Sequence, residues 1–205
     1  MRVVGGRWRG RRLLEPAGSD VTRPTTDRVR EAMASMIDAA LPEGIAGARV
    51  LDAFGGSGAL AIEMLSRGAA FALIYDADRG AAQLIRKNLA QMGAGSTEAR
   101  VVCGDVLAQA SRGRVLGGPF DLVLLDPPYA MGAAPVEELL GHLRERGALA
   151  PGALAVHEHA ARDCGARPEG FEVLREKRYG ICGVDLLRFE GEGNGQGTAP
   201  VAGEE

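Results

Sequence analysis

The chain reads as an open α/β domain: a mostly parallel sheet with helices on both faces, finished by an antiparallel hairpin. Three observations predict it. From Val50 onward, short apolar runs alternate with amphipathic stretches, at the spacing of successive βα units. One strand-like run, Arg49-Val50-Leu51-Asp52, enters a glycine-rich turn, Ala53-Phe54-Gly55-Gly56-Ser57-Gly58, and then an apolar helix starting at Ala59. Near the end, residues 171–178 and 184–189 are joined around Tyr179-Gly180, which reads as a hairpin instead of another crossover.

In chain order, residues up to about 24 form a basic arm or small hairpin, with Trp8 free either to stack on a base or to anchor the arm to the core. Thr25-Thr26-Asp27 caps a helix running to about residue 40, with Val29, Met33, Met36 and Ile37 on one face. Strands are then expected over 50–53, 71–75, 100–103, 120–125 and 154–157, and helices over 59–67, 79–91, 106–110 and 135–146. Five parallel strands and the hairpin make seven. The domain is expected over residues 25–190, and the glycine-rich tail at 191–205 reads as disordered.

Composition narrows the function classes. With 205 residues and a 46% hydrophobic content, one domain with a substantial core is expected. No apolar run is long enough to span a bilayer and no signal pattern opens the chain, so a cytoplasmic protein without a membrane partner is expected. Cys103, Cys164 and Cys182 are dispersed and odd in number, which suits buried, reduced thiols. Net charge is −3, yet Met1 to Arg12 carry five arginines and no acid. A mildly acidic total is therefore compatible with a nucleic-acid partner.

The chemistry is concentrated at predicted strand ends, where open α/β sheets bind ligands. Phe120 to Leu125 runs into Asp126-Pro127-Pro128-Tyr129. That corner offers a planar amine a carboxylate, a rigid carbonyl and an aromatic ring. The upstream glycine turn lacks the dinucleotide spacing and any basic phosphate ligand. Its acid, Asp52, would repel a pyrophosphate and suits a cationic amino-acid group. Asp76, or alternatively Asp78, stands where a ribose-binding acid is expected, with Asp78 also able to cap the next helix. Asp105 can accept from an adenine amino group or cap the helix after it. His157-Glu158-His159 puts two imidazoles on one strand face, but no third ligand is apparent and no metal is expected.

Successive strand-end acids, the glycine turn and Asp-Pro-Pro-Tyr together resemble the class I S-adenosylmethionine-dependent methyltransferases, a Rossmann-like fold. The segment Arg23-Pro24-Thr25-Thr26-Asp27-Arg28-Val29-Arg30-Glu31, the arm Val4-Gly5-Gly6-Arg7-Trp8-Arg9-Gly10-Arg11-Arg12 and Ser66-Arg67-Gly68-Ala69 are similar to the bacterial 16S ribosomal RNA guanine-N2 methyltransferase family. The likeness covers about residues 2 to 189. It implies S-adenosylmethionine held by Asp52, Ala53, Phe54, Gly55, Gly56, Gly58, Asp76, Ala77, Asp105, Val106 and Asp126. It implies Asp126, Pro127 and Tyr129 as the catalytic corner, and a small ribosomal subunit or its assembly intermediate as partner, while the lack of an extra apolar helix in the sequence leads to the expectation of a monomer. Arg7, Arg9, Arg11, Arg12, Arg23, Thr25, Arg28 and Arg30 are the candidates for gripping RNA, on an arm expected to order only there. Asp126 is expected to have an ordinary carboxyl pKa. Gly55, where relatives carry alanine, is expected to loosen the cofactor loop. Tyr75 and Ala77 also depart from the family pattern. Methylation of DNA adenine or protein glutamine, and a non-catalytic assembly factor, are the competing readings.

Overall fold

The computed structural model describes residues 1–15 and 26–191. Among these, seven strands form one sheet: β1 (Arg49–Asp52), β2 (Phe71–Asp76), β3 (Ala99–Cys103), β4 (Phe120–Leu125), β5 (Leu149–Ala160), β6 (Phe171–Tyr179) and β7 (Cys182–Phe189). Their order is β3-β2-β1-β4-β5-β7-β6. The first five are parallel, and β7 lies antiparallel between β5 and β6. The strand order reverses between β1 and β4, which opens a crevice over their carboxyl ends.

Side chains alternate across the central strands, so the sheet is buried on both faces. Val50, Ile74 and Leu124 meet α1 (Asp27–Ala40), α2 (Ala59–Ser66) and α3 (Arg79–Met92) through Met33, Ile37, Leu65 and Ile85. Leu51, Leu73 and Val123 face α4 (Val106–Ser111) and α5 (Ala134–Glu145) through Val106, Leu139 and Leu143. Thr26 is the residue that caps α1, its hydroxyl accepting from the Val29 N–H at 3.3 Å. Strand β5 is far longer than residues 154–157. The Pro151-Gly152 breaker is absorbed by a register shift opposite Phe120 and Leu122, and β7 pairs the strand out to Ala160. Pairing partners decide such ends, and local composition does not.

The arm corrects the expectation that it orders only on RNA. Residues 1–15 pack on α2 and α3, with Val3, Trp8 and Leu13 buried in the main core. Buried polar groups hold its backbone. Glu63 accepts from Val4 and Gly5 N–H at 2.8 and 2.7 Å, and Ser66 accepts from Trp8 N–H at 2.9 Å. Asn88 accepts from Leu14 N–H at 2.8 Å and donates to the Ser57 carbonyl at 2.9 Å, joining the arm to the glycine turn. Gly6 sits at φ +70°, with the Ser66 carbonyl where a Cβ would lie, so no other residue fits there without rearrangement. Trp8 is thus an anchor, covered by the Arg7 guanidinium 4.2 Å from its ring centroid. Trp8→Ala should lower unfolding free energy by about 3–5 kcal/mol, read by urea denaturation. A loss below about 0.5 kcal/mol, typical of surface positions, would mean the arm is not part of the core.

The thiols also differ from expectation: Cys103 and Cys164 are exposed and only Cys182 is buried. Cys103 and Cys164 stand at a strand end and in a loop, where solvent reaches both. No helix among the described residues is long and apolar enough to cross a membrane.

Candidate active site

A cavity of about 1250 Å³ opens over the carboxyl ends of β1, β2 and β4. Its floor is the glycine turn. The Gly55 N–H donates to the Tyr75 carbonyl at 2.8 Å and the Gly58 N–H to the Gly55 carbonyl, while Gly56 and Gly58 adopt φ +56° and +80°. Gly55 itself is tightly seated. A Cβ there would lie 2.6 Å from Ile74 and 2.7 Å from Ile85, so glycine packs the turn against the core instead of loosening it.

Acids ring this floor. Asp52 is buried and accepts from the Phe54 N–H at 3.3 Å and from the Ala61 N–H in the first turn of α2. Burial pushes its pKa up to about 7, against the lowering effect of those bonds, with Asp76 adding a smaller push. Asp76 accepts from Gly56 N–H and Asp78 N–H, both at 2.8 Å, and links the glycine turn to the end of β2. Asp78 caps α3 through the Ala81 N–H at 2.7 Å. Asp105 caps α4 through the Leu107 and Ala108 N–H groups at 2.9 and 3.4 Å, both on one oxygen, and also lines the cavity. Ala53, Phe54, Ala77 and Val106 join these acids in the lining. Tyr75 is buried on the α4–α5 side of the sheet, away from the lining.

At the end of β4, Asp126, Pro127, Pro128 and Tyr129 form one wall. The Pro128 carbonyl accepts from Met131 N–H in a single tight turn, and the Tyr129 ring is left 39% exposed, available for stacking. Asp126 departs from the expected ordinary acidity. Burial, then the charges of Glu158 and Asp52, hold its pKa well above the carboxylate range. Glu158 was not foreseen as a site residue. It is buried on β5 and lines the cavity, and its charge adds to burial in raising the pKa values of its neighbours Asp126, Tyr129 and Cys182. The signal was its place on a parallel strand at the ligand-binding edge. In the sequence it stands between two imidazoles, His157 and His159, whose pattern is that of a metal-ligand pair and not of a carboxylate site. His157 is buried, accepts from Ala166 N–H at 3.2 Å and is pushed down to about 4, chiefly by burial. His159 faces Asp185 at 3.4 Å.

The eight expected RNA contacts divide. Arg9, Arg12 and Arg28 are exposed. Arg7 is engaged by Glu98 and by Trp8, and Arg11 by the Met92 and Gln91 carbonyls at the end of α3. Arg30 is 2% exposed and lines the cavity, donating to the Arg2 carbonyl at 2.6 Å and Asp27 at 2.7 Å. A guanidinium so enclosed is no surface grip for phosphate, because it lies on the core face of α1. Arg23 and Thr25 lie outside the described residues.

The residues present fit S-adenosylmethionine. Asp52 and Asp126, carboxyls with raised pKa values, line an open cavity together with Asp76 and Asp105, an acceptor-rich lining that suits a ligand bearing positive charge, hydroxyls and an amino group.

Comparison with known proteins points the same way. Ribosomal RNA small subunit methyltransferase D of Escherichia coli is 38% identical over 94% of this chain and 92% of its own length. The protein of that name in Haemophilus influenzae is 33% identical over 92% and 93%. The solved structure of Escherichia coli yhhF superimposes with a TM-score of 0.78 at 37% identity, covering 94% of this chain and 99% of that one. The rRNA methyltransferase aviRa of Streptomyces viridochromogenes shares the fold at 21% identity, with a TM-score of 0.68 over 86% and 89%. The family described as conserved hypothetical protein 95 matches residues 1–188, and with that coverage the chain belongs to it, the family of ribosomal RNA small subunit methyltransferase D.

Proposed function

We propose that the protein transfers a methyl group from S-adenosylmethionine to the exocyclic N2 of a guanine in 16S ribosomal RNA. The observation that carries this is the row of strand-end acids, Asp52, Asp76 and Asp105, lining one cavity with the Asp126–Tyr129 corner. S-adenosylmethionine, when bound, supplies a methyl group on a positively charged sulfur. Asp52 holds the amino-acid end of that molecule, Asp76 the ribose and Asp105 the adenine amino group. The N2 amine of guanine is a poor nucleophile because its lone pair is delocalised into the ring. Asp126 and the Pro127 carbonyl accept its two hydrogens and turn the lone pair toward the methyl group, an orientation effect worth several kcal/mol. Tyr129 stacks on the base, which must leave its own stack to enter. Asp126 then takes the proton, a task its raised pKa favours.

All of these groups come from one chain, which supports action as a monomer. RNA is held by Arg9, Arg12 and Arg28, with Arg23 and Thr25 as further contacts. Replacing Arg9, Arg12 and Arg28 together by alanine should reduce the slope of log affinity against log salt by about 2, measured by RNA binding across ionic strengths. An unchanged slope would remove all three from the interface.

The function is tested by giving the protein methyl-labelled S-adenosylmethionine with unmodified small ribosomal subunits, their stripped RNA, or duplex DNA. Nucleoside mass spectrometry should find N2-methylguanosine with the ribosomal substrates only. Label in methyladenine or in protein would overturn the substrate assignment.

A further inference from the structure

We propose that Glu158 reads the N1–H of the target base and so makes the enzyme select guanine over adenine. The inference rests on the methyl-transfer reading above and adds a specificity-determining residue to it.

Position is the first argument. The sheet order runs β2-β1-β4-β5 across the site. The glycine turn and the ribose-side acid belong to β1 and β2, Asp126 follows β4, and Glu158 lies on β5. Glu158 therefore sits across Asp126 from the cofactor loop, on the side where the methyl acceptor must enter. Strands β4 and β5 pair Leu124 with Val156 and Leu125 with His157, and one further step along that register sets Asp126 beside Glu158. Both side chains line the cavity.

Orientation is the second. Glu158 is only 4% exposed and is fixed on a strand paired on both sides, opposite Val184 of β7, close enough to Asp126, Tyr129 and Cys182 for its charge to add to burial in raising the pKa of each. The ring that stacks on the base and the acid that flanks it thus line the same cavity.

Chemistry is the third. Guanine presents N1–H and the N2 amino hydrogens side by side as donors. Adenine presents an N1 lone pair at the equivalent position. Two neighbouring acceptor carboxylates match the first and repel the second. A site built around buried hydrogen-bonding groups rejects an analogue lacking the matching donor far more strongly than an apolar pocket does, because its own groups are left unpaired.

The test replaces the target guanosine in the RNA substrate by 2-aminopurine riboside, which keeps the N2 amine but carries a lone pair at N1. The natural protein should methylate it with kcat/KM lower by about 100-fold or more. Glu158→Gln should lose a similar factor on guanosine yet exceed the natural protein on 2-aminopurine by about tenfold, its amide N–H now donating to N1. Affinity for S-adenosylhomocysteine should stay within about twofold, since the residue lies outside the cofactor's reach. Equal turnover of the two bases by the natural protein would overturn the proposal without any variant. So would a Glu158→Gln protein that falls equally on both substrates, the mark of a structural role. Failure of the natural protein to form N2-methylguanosine on guanosine RNA would instead sink the parent reading, and is seen before either comparison is made.

Discussion

Asp126→Ala should lower kcat/KM for RNA methylation by a factor of about 10³ or more, while S-adenosylhomocysteine affinity stays within a few-fold. The activity loss follows from removing the group that both orients the amine and takes its proton, effects that each contribute several kcal/mol to lowering the barrier. Retained affinity follows from geometry. Asp52, Asp76 and the glycine turn line the cavity from β1 and β2, and loss of the Asp126 charge removes a repulsion from Asp52. The same substitution should stabilise the ligand-free protein above neutral pH, because it deletes one member of a buried set of like charges. Calorimetric affinity together with initial rates separates the two effects. A fall in cofactor affinity as steep as the fall in rate would move Asp126 to the cofactor side of the site.

The second large effect is a proton linkage at Asp52. Its pKa in the folded, ligand-free protein is about 7, against an ordinary 3.8. Between those values the folded protein binds more protons than the unfolded chain, so stability falls as pH rises through that window. Above pH 7 the deficit is complete and on the order of 4 kcal/mol. A cationic amino group requires Asp52 ionised. Cofactor affinity should therefore be flat above about pH 7 and weaken by about tenfold per unit below it. Thermal stabilisation by S-adenosylhomocysteine should likewise be larger at pH 8 than at pH 6. Asp52→Asn should abolish this pH dependence and bind weakly throughout. Titration calorimetry from pH 5.5 to 8 decides the matter: an affinity independent of pH would show that the ligand is held some other way.

The strand-end acids, the glycine turn and the Asp-Pro-Pro-Tyr corner are contiguous in sequence with the strands that carry them. Hydrophobic runs and their breakers therefore sufficed to place Asp52, Asp76, Asp105 and Asp126 at one edge of a doubly covered parallel sheet. The family likeness was legible for the same reason, since it lies in short local motifs. Only the tertiary structure decided what depends on neighbours distant in the chain. Arg30 of α1 and Arg9 of the arm were equal candidates by residue type, yet one is enclosed against Asp27 and the other faces solvent. Trp8 is an anchor because Glu63, Ser66 and Asn88 seat the arm on α2 and α3. Glu158 entered the site because β7 extends β5 past its apolar stretch, and Asp126 lost its ordinary acidity because folding buried it and then set two other carboxylates near it. Local propensity is set by adjacent residues, whereas burial and charge coupling are set by what folding brings within a few ångströms.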